Sequence, residues 1–168
     1  DEARIYNRVL TVSEIQALYD SSAPDKTNSS VATPQGTGRL DSGLVGYWKF
    51  DENTGTNAAD ASTNGNAGSL TSGPTWATGQ IGYGVNFDGT DDSVNLGSPA
   101  VLDLANMYSV AAWVKTDVDA TDQVIFHHGA AFCCGVEYGL RIRYNVGGGT
   151  YQFNFLHDGS GDTLDAPG

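Results

Sequence analysis

The 168 residues carry 20 Asp+Glu against 8 Lys+Arg, a formal net charge of -12. Such a balance repels phosphate backbones and anionic lipid, which excludes nucleic-acid binding and adhesion to acidic bilayers, and no apolar run is long enough for membrane insertion. With 39% hydrophobic residues the chain can build a core, and its 22 glycines among Ser, Thr, Asn, Asp, Val and Tyr point to turns and strands.

Three textures follow one another. In residues 1–22, Ala3-Arg4-Ile5-Tyr6 reads as a short strand. Thr11-Val12-Ser13-Glu14 then fits a capping box, with a hydroxyl at the N-cap and Glu three residues on. Ile15, Leu18 and Tyr19 follow at helical spacing and predict one apolar stripe. Residues 23–43 are Ser, Thr, Pro, Gly, Asn and Asp with little apolar content, the composition of a linker.

From Leu44 the period is two. Strands are predicted at 43–50, 84–87, 93–96, 108–115 and 124–126, with a Gly/Asn/Ser loop over 60–69. Trp48 and Trp113 fall on strands and are expected in the core. Two clean alternations close the series: Tyr138, Leu140, Ile142 and Tyr144, then Tyr151, Phe153 and Phe155. Val146-Gly147-Gly148-Gly149 sits between them as a hairpin loop. Short strands at this spacing, with no helix between them, predict an antiparallel sandwich or barrel.

Three stretches carry a family resemblance. Gly43-Leu44-Val45-Gly46-Tyr47-Trp48-Lys49-Phe50-Asp51 is similar to the opening strand of bacterial laminin-G-like, concanavalin A-like lectin/glucanase domains. Residues 79–92, which include Phe87-Asp88-Gly89-Thr90-Asp91-Asp92, resemble that family's acidic turn. Residues 108–115 resemble its Ala-Trp-Val-Lys strand. Residues 1–15 resemble the stretch that ends such a domain, a last strand and then a short helix. The resemblance implies an all-β, antiparallel β-sandwich (concanavalin A-like jelly roll) with one short helix near the N-terminus. The expected layout is the closing strand and helix of one domain over 1–22, a linker over 23–43, and the front part of a second domain over 44–168.

Glucanases on such a fold need two carboxylates facing each other across the scissile bond. The only glutamates are Glu2, Glu14, Glu52 and Glu137, and none forms such a pair on a strand, so the expectation is a module without enzymatic activity. His127 and His128 alternate sides of a strand and, with His157, lack the spacing of a zinc site. The adjacent Cys133 and Cys134 cannot staple distant segments.

Asp88, Asp91 and Asp92 bring three carboxylates into five residues, which suits calcium; the same residues also suit a plain turn whose side chains cap backbone N–H groups. The resemblance implies a structural calcium and carries the ligand set to Asp51, Asp88, Gly89, Asp91 and Asp92, with Asp1 as a ligand in the preceding domain. Sugar binding calls for an exposed aromatic beside polar groups. Trp76, Asn64, Tyr151 and Asp158 are the candidates, with packing at the sheet rim as the other reading of Trp76.

The function expected from all this is a non-catalytic extracellular or cell-surface recognition and adhesion module of bacterial type, binding a glycan or another surface protein. Two alternatives stand beside it. One is a structural filament subunit that self-associates by strand addition, residues 1–22 completing a neighbour's sheet. The other is an ancillary domain of a large secreted hydrolase.

Overall fold

The computed structural model describes residues 1–21, 40–104, 107–116, 122–129, 136–145, 150–157 and 160–165. The fold is all-β and antiparallel, with one short α-helix. It forms two compact units, Asp1–Trp113 and Val114–Gly168. The expected linker core and the 146–149 loop lie outside the described residues.

In the first unit the central element is the N-terminal strand. β1 (Ala3–Tyr6) pairs antiparallel with β2 (Leu44–Trp48) on one side and β8 (Ser109–Ala111) on the other. A segment expected to close a preceding domain therefore lies between strands of the unit that follows it. Pairing Ile5 with Gly46 and Val110 puts it on one face of this sheet; Tyr6, opposite Leu44 and Ser109, lies on the other. Ile5 packs into the main core with Val45, Trp48, Phe50, Ala58, Leu70 and Leu102. Tyr6 joins a second cluster with Leu10 and Leu18, so the helix α1 (Val12–Ser21) covers the opposite face.

α1 begins as the capping box requires. The Thr11 N–H donates to Glu14 Oε2 at 2.8 Å, and the Glu14 N–H donates to Thr11 Oγ1 at 3.3 Å. Its buried face differs from the predicted stripe. Leu18 is buried, but Ile15 and Tyr19 are 55% and 56% exposed, and Glu14 takes the inward position at 2%. The cause is Arg8, whose guanidinium grips both Glu14 oxygens at 2.9 and 2.7 Å. A carboxylate so paired and capped is tolerated where a bare one is not.

Two smaller sheets complete this unit. β3 (Asn57–Ala58), β4 (Gly68–Thr71) and β7 (Ser93–Asn95) form one, in that order. The hairpin of β5 (Thr75–Thr78) and β6 (Tyr83–Asn86) forms the other. Leu70, Trp76, Val85 and Val94 reach the main core from them. Trp113 lies past the end of β8, half-buried, with its ring 5.5 Å from Tyr19. The strand predicted over 108–115 is only three residues long, and among the described residues only β1 pairs with it.

The second unit is a four-stranded antiparallel meander of β9 (Asp122–Gly129), β10 (Val136–Asn145), β11 (Thr150–His157) and β12 (Ser160–Asp165). The alternations of β10 and β11 meet in register, Leu140 opposite Phe155 and Ile142 opposite Phe153. Tyr138 is buried and stacks on His128, with ring centroids 5.0 Å apart.

Two outcomes are expected from this packing. A Cβ at Gly46 would overlap the Trp48 indole, so Gly46→Ala should lower the urea unfolding free energy by about 1–3 kcal/mol. The hydrogen bonds from Arg8 and Thr11 hold the Glu14 carboxyl down at about 2, below its ordinary 4.5. A depressed carboxylate pKa contributes stability above the unfolded value, and that stability is lost as pH falls through the folded one. Urea midpoints of the native chain should therefore decline between pH 4.5 and about 2. Glu14→Gln should lower the neutral-pH midpoint and flatten that decline.

Candidate functional site

The acidic turn joins β6 to β7. Among the described residues, Asp88, Asp91 and Asp92 form the one group of carboxylates that converges as a metal site would, their ligand oxygens all within 4.8 Å of one another. The turn is preformed. The Thr90 N–H donates to Asp88 Oδ1 at 2.8 Å, and the Asp88 N–H donates to Asp92 Oδ2 at 2.9 Å. Gly89 sits at φ +78°, a conformation that costs glycine nothing. The turn reading is thus realised, with side chains capping the backbone, and one oxygen of each of the three carboxylates lies near the other two. Asp88 and Asp91 are exposed, and Asp92 is half-buried.

Asp51 is elsewhere. Its Oδ1 accepts the Tyr83 N–H at 2.9 Å, and a Cβ at Gly82, which has φ +60°, would collide with the same oxygen. Asp1 reaches the same hairpin turn, its Oδ2 accepting the Ile81 N–H at 2.9 Å. Asp1 Oδ1 is buried without a hydrogen-bond partner among the described residues. The five expected metal ligands therefore divide: Asp88, Gly89, Asp91 and Asp92 share one turn, while Asp51 holds the β5–β6 turn alongside Asp1.

The sugar-binding candidates are dispersed. Trp76 lies on β5, half-buried, and packs against the main core; its indole N–H donates to the Gly55 carbonyl at 2.9 Å. Asn64 is exposed, yet its amide donates to the Leu44 and Val45 carbonyls, each at 3.2 Å. Tyr151 is in β11 of the second unit, its side chain outside the described part. Asp158, Cys133 and Cys134 lie outside the described residues.

Asn64 belongs to a loop organised by Asp60, a residue the sequence reading passed over. Asp60 Oδ1 accepts the N–H groups of Tyr47 and Ser62, at 3.0 and 2.8 Å. Oδ2 accepts the Ser62 hydroxyl and the Asn66 N–H, both at 2.8 Å. Burial works to raise this carboxyl's pKa, but the hydrogen bonds from Tyr47, Asn66 and Ser62 outweigh it and the net direction is down. Asn66, held in this way, donates to the Val45 carbonyl and accepts the Trp48 indole N–H at 2.8 Å. The signal was present as an Asp followed by Ser two residues on, the pattern of an Asx-turn.

Glu52 accepts the Ala59 N–H with one oxygen at 2.8 Å; its other oxygen is buried without a partner among the described residues. Of the histidines, His127 is exposed and His128 stacks on Tyr138, both on β9.

No protein-family model, no curated protein and no solved structure matches the chain.

Since both Asp60 oxygens accept hydrogen bonds, Asp60→Asn would turn an amide towards two donors. It should cost about 2 kcal/mol in urea unfolding and expose the Trp48 indole, read as a red shift of its fluorescence.

Proposed function

We propose that this chain is a non-catalytic recognition module of an extracellular or cell-surface protein, of the laminin-G-like kind its motifs resemble, with a calcium ion at the 88–92 turn. The observation that carries this reading is the convergence of the Asp88, Asp91 and Asp92 carboxylates. Three like charges at such separations repel, and a divalent cation relieves the repulsion. Calcium takes six to eight oxygens. Three carboxylates on an exposed turn supply part of that shell and leave positions for water or for the hydroxyls of a glycan. The strongly acidic balance, 20 Asp+Glu against 8 Lys+Arg, favours cations near the surface generally.

Asp91 is the informative position, because Asp88 and Asp92 also cap the turn's backbone. Millimolar calcium should raise the melting temperature of the native chain by several degrees over chelator. Asp91→Asn should abolish that difference while leaving the melting temperature in chelator unchanged or slightly raised. Equal melting temperatures in calcium and in excess chelator would end the metal reading. On a glycan array, retention that disappears with chelator is expected; retention indifferent to chelator would separate the ligand from the ion.

A further inference from the structure

We propose that the groove between β2 and β8 is a receptor for residues 1–21 of a second copy of this chain, so that the β1–α1 segment docks in trans as well as in cis. This inference is independent of the cation reading.

Donor and receptor are separable in sequence. The donor is residues 1–21, and the described residues it pairs and packs with lie at or beyond residue 40. Its backbone pairs on both edges, Arg4 opposite Tyr47 and Ala111, Ile5 opposite Gly46 and Val110. Further bonds extend the docking at either end. The Asn7 N–H donates to the Gly43 carbonyl, the Leu10 N–H to Ser109 Oγ, and the Trp113 N–H to the Asp1 carbonyl. Side chains fill both faces, with Ile5 in one cluster and Tyr6, Leu10 and Leu18 in the other. Every one of these contacts forms equally well whichever copy supplies the donor.

The join between donor and receptor permits both. Residues 22–39 are eighteen in number and rich in Ser, Thr, Pro and Gly. Fully extended, they reach about 60 Å, roughly twice the diameter of a small domain. The effective concentration of a tethered segment is on the order of millimolar, so cis docking prevails in dilute solution. Trans docking competes when the chain folds at comparable concentration. Once seated, the donor leaves only by exposing its buried side chains and breaking both strand ladders, so the two forms exchange slowly.

The test is to unfold the full chain in denaturant, refold it at micromolar and at near-millimolar concentration, and measure mass by light scattering after dilution. The expected result is monomer from the dilute sample, and from the concentrated one dimers and larger multiples that persist on dilution. A second measurement identifies the contact. Two chains, each also carrying Cys133→Ser and Cys134→Ser, are refolded together, one with Arg4→Cys and the other with Ala111→Cys. These positions face each other across β1 and β8, at a separation a disulfide spans. A disulfide joining the two different chains is expected from the concentrated mixture and absent from the dilute one. Monomer alone after refolding at every concentration would overturn the proposal, as would multimers in which the two chains do not cross-link.

Discussion

A strand with a neighbour on each side has its backbone donors and acceptors committed in both directions, and in the first unit only β1 holds that position in the sheet it shares with β2 and β8. β2 and β8 do not pair with each other, so this sheet exists through β1. The same four residues also carry both hydrophobic clusters, because alternation sends Ile5 to one face and Tyr6 to the other. Burying Ile5, Leu10 and Leu18 contributes about 1.5–3 kcal/mol each, which together is comparable with the whole net stability of a typical domain. The N-terminal segment is therefore a structural keystone of the unit formed by the strands after it.

The remaining strands of that unit are two to five residues long, too short to be held by ladders alone. Carboxylates and amides supply what the ladders lack. Asp60 gathers a loop over the end of β2, Asp51 and Asp1 fasten the β5–β6 turn, and Glu52 fixes the chain as it leaves β3. Each accepts from backbone N–H groups in loops or near strand ends. The glycines permit the same economy of space: Gly46 makes room for the Trp48 indole, and Gly82 for the Asp51 carboxylate. A composition heavy in Gly, Asn, Asp and Ser is thus what a fold of short strands and side-chain-tied loops requires.

What could be read in advance was what depends on nearby residues. The capping box at Thr11–Glu14 is local and formed as written. The alternations of β10 and β11 are long enough for the period to speak, and they pair in register. The sequence predicts no strand at β4 or β5, because Leu70 and Trp76 are single apolar residues among Gly, Ser and Thr, and one residue has no period. The inward turn of Glu14 depends on Arg8 reaching back from before the helix, which a stripe of apolar residues does not register. For the candidate site, the Asp88–Asp92 turn was legible because its members are adjacent in sequence. The meeting of Asp1 and Asp51 on one turn was not, since it rests on β1 pairing with β2, a strand distant in sequence.

The distribution of charge bears on how that keystone is held. Two of the eight basic residues, Arg4 and Arg8, lie in the β1–α1 segment, and each pairs with a glutamate of the same segment, Glu2 and Glu14. Tyr47 adds a link across to β2, its hydroxyl donating to Glu2 at 2.6 Å and accepting from Arg4 at 2.7 Å. Burial, together with that bond to Glu2, pushes the Tyr47 hydroxyl up to about 12, so it stays a donor at neutral pH. The ion pairs therefore travel with the segment and need no charged partner in the sheet that receives it. What receives it offers backbone, hydroxyl and apolar surface, none of which the long-range repulsion of a strongly acidic chain opposes at close contact. That repulsion acts between whole copies and is screened beyond about 8 Å at physiological salt. Salt thus governs how often two copies meet, while the strand ladders and apolar packing that seat the segment are left in place by salt.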